Sequence, residues 1–204
     1  MVNFGLVGEM GSGKDLVAEL MPGYLRKAFG DEIRVAAQNL RTNGVSAAYC
    51  HLCRLFDQEP PKDLPGKLRE FREIPKTDLK DRKLLQEMGT YCRLQKDMIW
   101  VDAVLNNISA NSQYVVTDCR RNSEFAALKA KGFVMIYVEA DLDTRKQRLI
   151  DRDGSYNEEA FSHPAEAEIR GMQKKCDWIL VNQGTQEQLY GSIAMILEDE
   201  NAGN

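Results

Sequence analysis

Residues 2–20, VNFGLVGEMGSGKDLVAEL, decide the fold. The apolar run Phe4, Leu6, Val7 reads as a buried strand and Gly8 to Gly13 as a glycine-rich turn. Leu16, Val17, Leu20 and Met21, at i, i+1, i+4, i+5, read as the inner face of a helix that begins at the turn. Gly8, Gly13 and Lys14 fit G-x-x-x-x-G-K. At that spacing successive backbone N–H groups wrap a phosphate chain while the lysine reaches its outer oxygens. Chance alone places the string in about one chain of this length in fifteen, so the strand before it and the helix after it carry the reading. Asp15 stands where a Ser or Thr hydroxyl normally meets Mg²⁺, so a carboxylate must take that role or change it.

The rest of the chain agrees with one α/β core. It has 204 residues, 43% hydrophobic and 28% charged, enough for one well-buried domain and short for two; a single domain over 1–204 is expected. A net charge of −4 argues against a nucleic-acid or membrane-surface binder, so anionic partners must be met by local cations. With no basic segment and apolar core at the N-terminus and no run of about 18 apolar residues, a cytoplasmic protein is expected. Five cysteines without a secretion signal suggest reduced thiols. Cys50 and Cys53 form C-x-x-C around His51, but no second pair completes a metal site, and beside Leu52, Leu55 and Phe56 they read as small apolar residues on a helix.

In order along the chain, the first helix is expected to end by Gly30. Ile33 to Ala37 is a short strand candidate, Asn39 to Asn43 a polar start, and a helical stretch follows through Phe56. Residues 57–81 hold four of the six prolines and many charges, and read as an insertion or loop with little packed structure. Leu84, Leu85, Met88, Tyr91 and Cys92, then Trp100, Val101, Val104, Leu105 and Ile108, give two core-facing helices that could also serve a dimer. Tyr114 to Thr117 is a strand, Asn122 or Ser123 caps a helix ending at Gly132, and Phe133 to Val138 is a further strand. Asp141 to Arg152 is a charged helix, Gly154 to Ser162 a polar loop, and Ser162, with Pro164 and Glu166 just inside, starts another helix. Trp178 to Val181 is the last strand. Thr185 and Gln188 form a capping box for a final helix carrying Leu189, Ile193, Ile196 and Leu197, with 198–204 a frayed tail. Five strands, each followed by helix, indicate a five-stranded parallel sheet with helices on both faces. Ligands then collect at the carboxyl ends of its strands.

Asp118 closes the strand that ends at Thr117, on the edge that carries the phosphate loop, where a carboxylate holds Mg²⁺; an Asp that simply ends a strand is the structural alternative. Arg120 points to the same crevice, with a guanidinium suited to a phosphate. Arg145, Arg148 and Arg152, at i, i+3, i+7, share one helix face. Like charges there repel by about a few tenths of a kcal/mol per pair, a cost reversed by an anionic phosphoryl group, although a solvated face with Asp141 pairing Arg145 is the competing account. With the polar loop behind it, 141–162 has the makings of a closing lid. No N-K-x-D is present to read guanine, and together with the short chain and its two charged insertions this favours a small-molecule kinase over a GTPase.

GEMGSGKD, LLQEMGTYCR from Leu84 to Arg93 with Trp100 beyond it, TDCRRNSE from Thr117 to Glu124, HPAE and CDWILVNQGT together resemble the phage deoxynucleoside monophosphate kinases, over roughly residues 1 to 195. The G-K-D ending is shared with that family. The resemblance implies the P-loop nucleoside monophosphate kinase fold with an acceptor-binding insertion at 57–81 and an arginine lid, in the host cytoplasm if of phage origin. It also implies ATP–Mg²⁺-dependent conversion of a deoxynucleoside monophosphate to its diphosphate. By motif, Gly8, Gly11, Ser12, Gly13, Lys14, Asp15 and Leu16 would bind ATP phosphates, Asn182 would border the adenine, and Asp15 and Asp118 would hold Mg²⁺. Lys14, Arg120, Arg145, Arg148 and Arg152 would be catalytic, and Arg82, Gln86, Gly89, Thr90, Arg93, Asp118 and Arg120 would face the acceptor. The family often carries a basic residue inside the loop, where this chain has Glu9, Met10 and Gly11. Phosphomevalonate kinase of the animal type shares the G-K-D and is the alternative acceptor reading; a nucleotide-binding sensor without turnover is the alternative class.

Overall fold

The computed structural model describes residues 1–56, 58–78, 81–156, 158–161 and 164–202. In chain order its elements are β1 (Phe4–Val7), α1 (Lys14–Glu19), β2 (Tyr24–Lys27), α2 (Asp31–Thr42), α3 (Val45–Cys53), α4 (Leu64–Arg72), α5 (Arg82–Gln95) and α6 (Ile99–Leu105). After these come β3 (Gln113–Cys119), α7 (Asn122–Ala130), β4 (Val134–Glu139), α8 (Leu142–Asp153), α9 (Glu158–Phe161), α10 (Pro164–Met172), a 3₁₀ turn at Gln173–Lys175, β5 (Trp178–Val181) and α11 (Gln186–Ala202). They gather into two compact units, Met1–Ala28 with Ile108–Asn204, and Phe29–Asn107.

The first unit holds the sheet, in the order β2-β3-β1-β4-β5, with every neighbouring pair parallel. The expected five-stranded parallel α/β sheet with helices on both faces is therefore present. The central strand β1 is buried along its whole length, as a parallel strand covered on both faces must be. On one face Phe4, Leu6, Val115, Ile136, Val138 and Leu180 pack under Val17 and Ala18 of α1 and Leu189, Ile193 and Ile196 of α11. On the other face a Cβ on Gly5 would meet Met135 and Leu128 of α7 at 2.6 and 3.0 Å. Glycine lets β4 and α7 close onto the central strand there.

The strand expected at Ile33 to Ala37 is instead part of α2. Ile33, Ala36, Ala37 and Leu40 fall at i, i+3, i+4, i+7, and Asp31 and Glu32 occupy the first turn, where acids favour a helix. The second strand comes earlier, at Tyr24–Lys27, because α1 stops after six residues and the chain turns at Gly23 (φ +82°). The helical stretch through Phe56 is two helices, α2 and α3, parted at Gly44. The final helix runs on to Ala202 rather than fraying from 198, and Trp178 Nε1 donates to Glu200 Oε1 at 2.6 Å. The helix start expected at Ser162 lies outside the described residues, whereas the Thr185–Gln188 capping box is formed, with bonds of 2.9 and 3.3 Å.

The second unit is helical. Residues 57–81, expected to be largely unpacked, contain α4, whose Leu64, Leu68 and Phe71 are buried at i, i+4, i+7. Burial of each stabilises the unit by about 1.5–3 kcal/mol, and Pro65 sits in the first turn, where it removes no helical hydrogen bond. Phe71 stacks edge-on against Tyr91 of α5 at 5.9 Å, and the Tyr91 hydroxyl donates to Asp63 at 2.7 Å. Asp81, before α5, is the non-glycine residue with positive φ (+52°) among those described. Arg41 holds its carboxylate with two bonds, of 2.7 and 3.0 Å, and donates as well to the carbonyls of Arg72 and Ile74. Among the described residues no helix is long and apolar enough to cross a membrane.

Candidate active site

The phosphate loop leaves the buried end of β1 and returns as α1. Gly11 and Gly13 have φ of +82° and +93°, a region that L side chains avoid. A Cβ on Gly11 would lie 2.7 Å from the Arg145 carbonyl oxygen, and one on Gly13 would collide with the Asn182 side-chain nitrogen. The glycines thus let α8 and the end of β5 pack directly on the loop backbone. Lys14 is 8% exposed. Its ammonium donates to the Gly8 carbonyl at 2.5 Å and the Glu9 carbonyl at 3.1 Å. Burial, followed by the charge of Arg120, pulls its pKa down to about 8, against the opposing influence of Glu166, Asp15 and Asp118.

Guanidinium groups surround the loop. Arg148 donates to the Ser12 carbonyl at 3.2 Å and to the Asn182 backbone and side-chain oxygens at 3.0 and 3.2 Å, while Asn182 Nδ2 donates to Ser12 O at 2.8 Å. Burial lowers the Arg148 pKa. Arg145 has one nitrogen 3.4 Å from Glu9 Oε1 and its guanidinium carbon 5.4 Å from the Phe161 ring centre. The charged helix is therefore no solvated face at Arg145 and Arg148. Asp141 instead caps it, accepting from Thr144 N at 2.7 Å. Arg152, one turn on, pairs with its neighbour Asp153 at 2.7 Å, and among the described residues its hydrogen bonds go there rather than to the loop.

Asp118 is the penultimate residue of β3, which runs on to Cys119 rather than stopping at Thr117, and lies next to the loop's base, with Val7 and Cys119 in register. Asp15 is exposed, 3.8 Å from Arg26. Leu16 packs against the core under the sheet. Arg82, Gln86, Gly89, Thr90 and Arg93 all lie on α5 in the second unit. Arg82, Gln86 and Thr90 recur at i, i+4, i+8 on its exposed side, and the Gly89 carbonyl accepts from Trp100 Nε1 at 3.4 Å. A recess of about 290 Å³ in the same unit is lined by Phe56, Gln58, Glu59, Pro61, Gln95 and Lys96, none of them from the phosphate loop.

Three loop partners are absent from the sequence-based set. Glu9 Oε1 binds Arg170 at 2.8 Å as well as Arg145. Glu166, 3% exposed, accepts from the Met10 backbone N–H at 3.0 Å with one oxygen and lies 3.8 Å from Arg120 with the other. Glu166 and Arg170 stand at i, i+4 on α10, the one local signal that they act together.

The residues fit a polyphosphate with a divalent cation. Ser12 Oγ and Arg145 Nε, both at the loop, are buried polar atoms with no hydrogen-bond partner among the described residues, and buried donors left unmade cost about 1–3 kcal/mol each until an acceptor arrives. Among the described residues no group of three or more His, Cys, Asp or Glu could hold a metal ion. Two carboxylates, Asp15 and Asp118, suit Mg²⁺, which keeps its waters and takes phosphate oxygens rather than an all-protein cage.

No protein-family model matches the chain, and no curated protein matches it in sequence. Among solved structures the chain is similar to TT1252 from Thermus thermophilus, at 22% identity and a TM-score of 0.51 over 97% of each chain. A dephospho-CoA kinase from Campylobacter jejuni matches at 16% identity and a TM-score of 0.47, over 97% of this chain and 96% of that one. The first of these similarities is one of fold.

Proposed function

We propose that the chain is a deoxynucleoside monophosphate kinase that passes a phosphoryl group from ATP directly to the acceptor phosphate. The observation that carries this reading is Lys14, a buried ammonium held by two neutral carbonyls in a glycine loop, with Arg120, Arg145 and Arg148 around it. Such a site gains its counter-charge from a bound anion. Lys14 neutralises the outer phosphates, and the loop amides orient them. Arg145 and Arg148 stabilise charge on the group in flight, and Arg152 joins them as the lid closes. Asp15 and Asp118 would hold Mg²⁺, which would supply charge neutralisation for the phosphates. A phosphate acceptor is already ionised, so no general base is required of the chain. The α5 face carrying Arg82, Gln86, Thr90 and Arg93 receives the acceptor.

Incubation with ATP–Mg²⁺ and each deoxynucleoside monophosphate in turn tests the reading through ADP release. Turnover of at least one, reduced about a hundredfold by Arg145→Ala, is expected. Silence with every nucleotide contradicts it, and turnover of phosphomevalonate alone moves the acceptor to the other small-molecule class.

A further inference from the structure

Glu166 places an acid where the chemistry asks for cations. A carboxylate that is 3% exposed costs several kcal/mol unless its oxygens are bonded, and it sits against a loop built for anions. Both oxygens are engaged, each with a different part of the site. Oε2 accepts from the Met10 N–H, an amide in the middle of the loop, at 3.0 Å. Oε1 faces the Arg120 guanidinium at 3.8 Å, and that side chain is otherwise 48% exposed. The Arg120 backbone N–H is fixed separately, by Glu124 at 2.7 Å. A long side chain on a fixed backbone still has many rotamers, and a facing carboxylate selects among them.

We propose that Glu166 is a positioning residue, which fixes the middle of the phosphate loop through Met10 N–H and turns Arg120 toward the phosphoryl group. The inference rests on the kinase reading above. The carboxylate touches no reacting atom. It works through Arg120 and the loop, and being on α10 it makes loop shape depend on the seating of that helix.

The test separates the two oxygens. Glu166→Gln keeps an acceptor for Met10 N–H and loses the charge facing Arg120; Glu166→Ala loses both. Steady-state kinetics use ATP–Mg²⁺ and the deoxynucleoside monophosphate turned over fastest, with thermal unfolding of each variant alongside. Glu166→Gln is expected to lower kcat by about fivefold, the upper effect of a part-exposed ion pair such as the one at 3.8 Å, with KM for ATP and Tm unchanged. Glu166→Ala is expected to raise KM for ATP as well. In an Arg120→Ala background Glu166→Gln should then change kcat by less than about twofold, because the group it works through is gone.

Wild-type kcat in Glu166→Gln overturns the inference. So does a lower KM for ATP at unchanged kcat, which would show an acid merely occupying a phosphate position, and so does an undiminished effect in the Arg120→Ala background. Failure of the wild-type chain to bind ATP overturns the kinase reading and this inference with it, whereas wild-type turnover with an unaffected Glu166→Gln overturns this inference alone.

Discussion

The Lys14 ammonium has two neutral carbonyl partners and almost no water, a poor arrangement for stability and a good one for a phosphate. Its pKa falls from 10.5 to about 8. Between those values the unfolded chain keeps a proton that the folded chain has released, so this residue makes stability rise with pH from about 8 to 10.5. Below about 8 the full penalty applies, of about 3 kcal/mol. Lys14→Met should therefore stabilise the chain at pH 7 by up to about 3 kcal/mol in urea unfolding while abolishing ATP binding. A variant no more stable than wild type would show that the ammonium is not strained. Bound phosphate favours the charged lysine, so ATP affinity should decline as pH rises through about 8, with proton uptake on binding seen by calorimetry in two buffers of different ionisation enthalpy. Affinity flat from pH 7 to 9 would contradict the assignment of Lys14 to the phosphates.

Elements set by local chemistry were legible in the sequence, and elements set by distant partners were not. The glycine loop, the strands around Val116, Ile136 and Leu180 and the Thr185 capping box each carry their signal within a few residues. The edge strand β2 is short and half-exposed, and pairing with β3 along Tyr24 to Lys27 defines it. Prolines and charges masked α4, although Leu64, Leu68 and Phe71 hold it. Among the site residues, Lys14, Arg145 and Arg148 could be read from spacing. Glu166 could not, because the amide it binds lies 156 residues away. The start of α5 supplies an element-scale prediction. Arg41 secures Asp81 in a left-handed conformation costing about 1 kcal/mol and bridges to the end of α4. Arg41→Ala leaves the Asp81 carboxylate largely buried without its cation, and is expected to cost about 2–3 kcal/mol in urea unfolding. Faster amide exchange in the first turn of α5 should accompany it. A loss below about 0.5 kcal/mol, the level of an exposed pair, would show the clamp to be incidental.

At the scale of the whole molecule, the chain divides its chemistry between a sheet unit and a helical unit. The first carries the phosphate loop, Arg120 and the α8 arginines, and the second carries α5, whose Arg82, Gln86, Thr90 and Arg93 are the proposed contacts of the acceptor. The net charge is −4, yet Lys14, Arg120, Arg145 and Arg148 gather around the phosphate loop, paired in part by Glu9 and Glu166. Following the γ-phosphoryl group itself tests its proposed direct passage from ATP to a deoxynucleoside monophosphate. With γ-labelled ATP and Mg²⁺, label should appear in a deoxynucleoside diphosphate as fast as ADP forms, and in none when Lys14 is replaced by Ala. Label recovered only as inorganic phosphate, or left in ATP with every acceptor, would contradict the account.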